Sequence, residues 1–300
     1  MDFLLKPQPK LLDFSLFAIM GIKGVGKDTL FQNYQSMFPF LHNHEKFCDV
    51  LKEHHSVEQV MFAGCLKEVA KTLFPDLDIE DREIKETRVE FETDYVDSVI
   101  QKWTMDFFTT MNYPVKEKVS SDIYERFFEK NGYSKSAQHN GKTIMLSPRE
   151  VAIGIGSKHW LRAHEDIADL ISQYAVKKAL NLVKETQSQV FLTDTRMPVE
   201  LAAINQQSKA HYVLLIRYNK NTDGSIRLAD DLTYDNHWTE EMNNQLTQNA
   251  IQDFNNNKNP AIQFKQLASQ YMQNTPNQKS MFSVLFFANG EFIPTDVFSK

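Results

Sequence analysis

The run "LFAIMGIKGVGKDTLFQNY", Leu16 to Tyr34, constrains the fold more than any other stretch of the chain. An apolar segment, Phe14 to Met20, meets Gly21, Gly24 and Gly26 and then Lys27. Beyond them Leu30, Phe31, Tyr34 and Met37 recur at helical spacing, with Pro39 expected to stop the helix. An apolar run without alternation suits a strand covered on both faces, as at the centre of a parallel sheet. Strand, glycine turn and helix in direct succession therefore predict an α/β fold.

Gly21-Ile22-Lys23-Gly24-Val25-Gly26-Lys27 fits G-x-x-x-x-G-K between a strand and a helix, the context a phosphate-binding loop requires. Glycines let the backbone curl so that N–H groups point at phosphate oxygens, and the helix N-terminus adds partial positive charge. Lys27 supplies a mobile cation for the outer phosphates. The candidate nucleotide-binding set is thus Gly21, Gly24, Val25, Gly26, Lys27, Asp28 and Thr29; the competing reading is a glycine turn with a chance lysine. Such loops usually carry Ser or Thr where this chain has Asp28. That carboxylate either meets Mg²⁺, directly or through water, or simply complements the helix dipole. Thr29 offers a hydroxyl to a phosphate oxygen or to the metal.

Further strands and helices follow. "EQVMFAG", Glu58 to Gly64, reads as a second strand, and "LKEVAKTLFP" as a helix with Leu66, Val69, Ala70 and Leu73 on one face. From 81 to 143 charges and then aromatics (Trp103, Phe107, Phe108, Tyr124, Phe127, Phe128) suggest a mostly helical insertion, with the aromatics as its core. "SPRE" is a capping box, Ser147 to Glu150, with Pro148 at the first helical position; the helix it opens ends near Gly154 and Gly156. A long helix spans Ile167 to Val183. "QVFLTD", "MPVELAAINQQ" and "HYVLLIRY" then read as strand, helix, strand, a parallel crossover. The expected organisation is a sheet core from 1–80 and 144–240, the insertion at 81–143, and a 241–300 extension of two helices and a hairpin turned at Asn289-Gly290.

Bulk properties narrow the function. Thirty-three basic against 39 acidic residues give a net charge of −6, which offers no general grip on nucleic acid. Cys48 and Cys65 make neither a disulfide framework nor a four-ligand zinc site, and suit a reducing compartment. No apolar run approaches membrane-spanning length, so a cytoplasmic protein without membrane partners is expected. His42, His44, His54 and His55 lack zinc spacing and read as exposed loop histidines.

Asp194 ends an apolar strand, where open parallel sheets place ligand chemistry; the alternative is a helix cap before Pro198. Arg149 and Arg196 each follow a turn signal and complete no apolar stripe, which suits phosphate contact. Arg162 and Lys67 are further candidates for the same cleft, with ordinary solvated side chains as the alternative.

The segments "GIKGVGKDT", "FAGCLKEVAK", "SPREVAIGIGSKHWLR", "FLTDTRMPVELAAI" and "DNHWTEE", in that order, resemble the deoxynucleoside monophosphate kinases of tailed bacteriophages. That family's loop ends Gly-Lys-Asp-Thr, as at Gly26 to Thr29. Its F-A-x-x-L-K is matched by Phe62, Ala63, Leu66 and Lys67, its T-P-R by Ser147-Pro148-Arg149, and its D-x-R-x-P-x-E by Asp194, Arg196, Pro198 and Glu200. Its late H-x-S-E is matched loosely by His237, Thr239 and Glu240. The resemblance implies a P-loop NTPase-type parallel sheet and transfer of the ATP γ-phosphoryl group to a deoxynucleoside monophosphate. In it Lys27 and the loop hold ATP with Mg²⁺ near Asp28, Thr29 or Asp194. Lys67, Arg149, Arg162 and Arg196 would hold the acceptor or the transferring group, with Lys27, Asp194, Arg149 and Arg196 as the catalytic set. It also implies a homodimer and, for a phage-encoded chain, the host cytoplasm. Rival readings are another small-molecule kinase on the same core and a nucleotide-binding protein without catalysis.

Overall fold

The computed structural model describes residues 14–45, 47–79, 81, 83–112, 143–156, 165–272, 279–288 and 291–298. Strand β1 (Leu16–Met20) leads into helix α1 (Lys27–His42), the short helix α2 (Cys48–Leu51) and strand β2 (Ser56–Val60). Next come α3 (Gly64–Leu73), β3 (Val89–Glu92), α4 (Thr93–Thr110), β4 (Thr143–Leu146) and α5 (Pro148–Gly156). After α6 (Glu165–Thr186) the chain forms β5 (Ser188–Leu192), α7 (Pro198–Gln207), β6 (His211–Lys220) and β7 (Ile226–Leu228). Helices α8 (Glu241–Asn255) and α9 (Pro260–Tyr271) precede β8 (Met281–Ala288) and β9 (Glu291–Phe298). Two compact units result, Met1–Phe62 with Ala175–Lys300, and Ala63–Tyr174.

The first unit is α/β, with a mostly parallel sheet ordered β2-β5-β1-β6-β8-β9 and β7 paired to β6. β1 is parallel to β5 and β6, β2 to β5, and β8 to β6; only β9 and β7 run antiparallel to their neighbours. Every residue of β1 and β5 is buried, as a central parallel strand requires. Alternate residues then serve two cores. Leu16, Ala18, Met20, Val190 and Leu192 pack with Leu201, Ile204, Leu246 and Phe264 from the helices on one face. Phe17, Ile19, Phe191 and Val213 pack with Phe31, Tyr34 and Phe38 of α1 on the other. Two buried polar side chains in that second layer satisfy each other: Tyr34 Oη donates to Gln189 Oε1 (2.6 Å), and Gln189 Nε2 donates to the Phe14 carbonyl (3.0 Å).

Three expectations need correction here. Helix α1 does not stop at Pro39 but runs to His42. Proline removes one helical bond, yet Phe38 and Leu41 on either side are buried and hold the last turn on the sheet, while the Pro39 ring lies in solvent. β2 spans Ser56–Val60 rather than 58–64, because its ladder to β5 ends at Val60↔Leu192 and Gly64 already opens α3. The 241–300 segment is no appendage. β8 completes the sheet beside β6 from Met281 to Phe287, and Phe282, Val284 and Phe286 are fully buried. The β8–β9 hairpin is as expected; its tip, 289–290, lies outside the described residues.

In the second unit α3 and α5 pack together, and Leu66, Val69, Ala70 and Leu73 meet Val96, Ile100, Phe107, Phe108 and Val151. This unit begins and ends outside the 81–143 span. Within that span α4 is helical as expected, but Val89–Glu92 is a strand, paired antiparallel with β4 so that Phe91 faces Ile144. The alternation of Val89 and Phe91 with Glu90 and Glu92 is the period-two signal that marks it. Trp103, Phe107 and Phe108 belong to this core; Tyr124, Phe127 and Phe128 lie outside the described residues. The capping box is complete: Glu150 N–H donates to Ser147 Oγ (3.2 Å), and Ser147 N–H donates to Glu150 Oε2 (2.9 Å). His54 is buried after α2 rather than exposed, its N–H bonded to the Leu51 carbonyl (2.8 Å). Among the described residues no helix is long and apolar enough to cross a membrane.

The placement of β8 is testable. Phe282→Ala is expected to cost about 3–5 kcal/mol in urea denaturation, because it empties a buried site in the main core. Phe40→Ala, at a position 61% exposed, is expected to stay within about 0.5 kcal/mol of the parent. Equal midpoints for the two variants would contradict the integration of β8 into the sheet.

Candidate functional site

The residues of interest gather at the carboxyl ends of β1, β5 and β2, where a parallel sheet leaves a crevice for ligands. The loop after β1 is shaped by its neighbours. Gly21 has φ +137°, and a Cβ there would lie 2.5 Å from the Leu215 carbonyl oxygen of β6, so no side chain fits. Gly26 also has positive φ, at +99°, but a Cβ there would meet nothing within 4 Å. Gly24 (φ +81°) lies against Leu232. Ile22 and Val25 are buried anchors, with Val25 N–H donating to the Ile22 carbonyl (3.3 Å). Gly26 precedes α1 without any side-chain cap, so the first-turn N–H groups of a 16-residue helix start bare beside the loop.

Lys27 turns inward from that first turn and is only 9% exposed. Its Nζ donates to the carbonyls of Gly21 (2.6 Å) and Ile22 (3.2 Å). Burial, reinforced by the Arg196 guanidinium, lowers the ammonium from its ordinary 10.5 to about 8, against the opposing pull of Glu240, Asp194 and Asp28. Lys27 therefore sits amid one further cation and three carboxylates.

Asp28 is exposed, but its Oδ1 accepts from Gln59 Nε2 of β2 (2.8 Å) and from Thr193 Oγ1 after β5 (3.2 Å). Both bonds fall on Oδ1. The carboxylate thus ties the start of α1 to the ends of two strands, a role for which neither Gln59 nor Thr193 gave a sequence signal. Thr29 is exposed on the same turn.

After β5 the residues Asp194 to Glu200 each take a separate task. Asp194 Oδ1 accepts from the Phe62 N–H (2.8 Å), joining the ends of β5 and β2. Asp194 is not the cap of α7. Glu200, buried in the first turn, fills that role by accepting from Arg196 N–H (2.6 Å) and Met197 N–H (3.0 Å). Pro198 takes the first helical position, where its missing N–H costs nothing. Arg196 Nη1 lies 3.1 Å from Glu240 Oε1; the arginine side chain is 41% exposed and the carboxylate 2%. One turn into α8, buried Asn243 donates from Nδ2 to the carbonyls of Gly21 (3.1 Å) and Thr195 (3.2 Å), clamping the two loops together.

The structure thus brings together Lys27, Asp28, Asp194 and Arg196 with the glycine loop. Lys67 on α3 and Arg149 on α5 belong to the second unit, where Arg149 pairs with Glu86 (2.6 Å). Arg162 lies outside the described residues. Glu200 and Glu240 were visible only as members of longer motifs, and Asn243 sits in an Asn/Gln-rich stretch that reads as solvated surface. Among the described residues no cluster of three or more His, Cys, Asp or Glu side chains forms a metal cage. Comparison with protein-family models and with curated proteins finds no match for the chain.

Two glycine substitutions separate backbone strain from steric clash. Gly26→Ala is expected to cost about 1–2 kcal/mol for its left-handed conformation alone. Gly21→Ala adds a collision with β6 and is expected to cost at least about 1 kcal/mol more by urea denaturation. The reverse order would contradict the loop geometry.

Proposed function

We propose that the chain is an ATP-dependent deoxynucleoside monophosphate kinase. The observation that carries the phosphotransferase reading is the buried Lys27 ammonium on a glycine loop, under an uncapped helix start, with Arg196 beside it. Buried cations and bare amides have one common purpose, to receive an anion of several charges. The choice of acceptor rests on the ordered motifs shared with the phage kinases.

In this reading the loop amides and Lys27 bind the ATP phosphates, and Lys27 exchanges the Gly21 and Ile22 carbonyls for phosphate oxygens. An anionic oxygen of the acceptor phosphate attacks Pγ; the bond from Pγ to the β–γ bridging oxygen breaks, and ADP leaves with that electron pair. The attacking oxygen carries no proton, so no strong general base is needed, and catalysis is positioning and charge neutralisation. Arg196 reaches solvent from the site and offers the guanidinium for the transferring group.

Magnesium fits the oxygen donors present. The Oδ2 of Asp28 takes no hydrogen bond among the described residues, Asp194 is half-buried alongside, and Thr29 adds a hydroxyl. One or two carboxylates with water and phosphate oxygens are what Mg²⁺ takes, rather than a protein cage. When bound it would neutralise phosphate charge.

Purified protein with Mg²⁺-ATP and each of dTMP, dGMP, dCMP and dAMP is expected to yield a diphosphate product from one or more acceptors. Lys27→Ala, folded by circular dichroism, should lower the rate at least about 100-fold. ATP binding without transfer to any monophosphate would overturn the assignment in favour of another acceptor or of binding without catalysis.

The pH dependence follows from Lys27. In the free protein its charge is present below about 8 and lost above, so ATP binding takes up a proton on the alkaline side. Calorimetry is expected to show affinity level up to that pH and then falling by as much as about tenfold per pH unit. Lys27→Ala should flatten the profile.

A further inference from the structure

We propose that Glu240 is a positioning residue for Arg196: its buried carboxylate holds the guanidinium at Nη1, so that Arg196 meets the transferring phosphoryl group in a fixed orientation. The inference rests on the phosphotransferase reading, and it assigns a role to a residue that touches neither ATP nor acceptor.

The pair is a poor device for stability. A carboxylate 2% exposed carries a large desolvation cost, offset only by good geometry and full hydrogen bonding. Here the contact is a single 3.1 Å approach of Nη1 to Oε1. Glu240 Oε2 and Arg196 Nε are both buried without a hydrogen-bond partner. Two apolar side chains of similar volume would serve the fold at least as well. What the pair does supply is direction. Glu240 is the only side-chain partner of Arg196 among the described residues, and the arginine side chain as a whole is 41% exposed. A planar guanidinium pinned at one nitrogen, on a main chain that is itself held, presents its remaining donors over a narrow range of angles, as bidentate phosphate recognition needs.

The surrounding backbone is built to hold Glu240 still. Asp235 Oδ1 accepts from His237 N–H (2.9 Å), His237 Nδ1 pairs with Thr239 Oγ1 (2.8 Å), and Glu240 N–H donates to the His237 carbonyl (2.8 Å). Asn244 Nδ2 reaches back to the Asp235 carbonyl (2.7 Å), and Asn243, one turn beyond Glu240, clamps Gly21 and Thr195. At the other end of the pair, Glu200 fixes the Arg196 main chain. Both partners are thus anchored through their own backbones, as a supporting shell must be to hold a reacting group within tenths of an ångström.

The test uses the full chain with Glu240→Gln, which keeps the shape and removes the charge, and Arg196→Lys. With Mg²⁺-ATP and the acceptor, at a pH well below 8 where Lys27 keeps its charge, Glu240→Gln is expected to lower kcat by about 10–100-fold while the KM for ATP changes less than about threefold. Adding Glu240→Gln to Arg196→Lys should cost less than about threefold more, because both act through one guanidinium. A Glu240→Gln protein that keeps kcat within threefold of wild type, or full additivity of the two changes, would overturn the proposal. A second readout needs no turnover. In ¹⁵N spectra of the arginine side chains, the Arg196 Nη–H groups, identified by their loss in Arg196→Lys, should exchange slowly in wild type and at least about tenfold faster in Glu240→Gln. If wild type transfers no phosphoryl group, the kinase reading fails on its own, and unchanged Nη–H exchange would separately sink the Arg196–Glu240 assignment.

Discussion

A buried ammonium at the end of the central strand is the constraint around which the rest is arranged. Lys27 is almost wholly withdrawn from water, and this burial, reinforced by the Arg196 guanidinium, lowers its ammonium from 10.5 to about 8. A cation in that position needs oxygen around it. The loop supplies two carbonyls, the first turn of α1 supplies Asp28, the end of β5 supplies Asp194, and the residue before α8 supplies Glu240. The sheet is what makes this affordable. Full burial of β1 and β5 fixes the loop ends rigidly, and β6 comes so close at Leu215 that only glycine passes at position 21.

The site's precision comes from residues that touch no ligand in the proposed mechanism. Gln59 and Thr193 bond to Asp28 at the start of α1, Glu200 bonds to the loop after β5, and Asn243 bonds to the loops after both β1 and β5. Through them the C-terminal segment, which closes the sheet with β8, also braces the glycine loop. A bond network of this kind keeps the first-turn amides and Arg196 oriented in advance, so that little reorganisation accompanies reaction. Asp28 illustrates the economy. The same carboxylate that departs from the usual loop residue ties α1 to β2 and β5 through one oxygen and leaves the other without a hydrogen bond among the described residues.

Much of this was legible in the chain, and the reasons differ from one element to the next. β1, the glycine turn and the start of α1 were readable because their signals are local: an unbroken apolar run, three glycines, a helical stripe. The Ser147–Glu150 box was readable because its chemistry spans four residues. Pro39 misled because the proline penalty is local while the compensation from Phe38 and Leu41 is tertiary. β3 was hidden by its glutamates, which lie on the open face of a two-stranded ladder. In the site, Lys27, Asp194 and Arg196 lie at the ends of recognisable strands. Glu240 and Asn243 arrive from a polar helix far along the chain, and nothing in an Asn-rich stretch distinguishes a buried clamp from solvated surface.

The central claim is that the glycine loop and Lys27 hold a chain of phosphates. Calorimetric titration of ATP into the wild-type protein and into Lys27→Met tests it most directly, because methionine fills the same space without the charge. The account predicts saturable one-site binding to wild type and binding at least about 100-fold weaker to a folded Lys27→Met, a loss of about 2.7 kcal/mol. Equal affinity in the two proteins, or no binding to wild type, would contradict it.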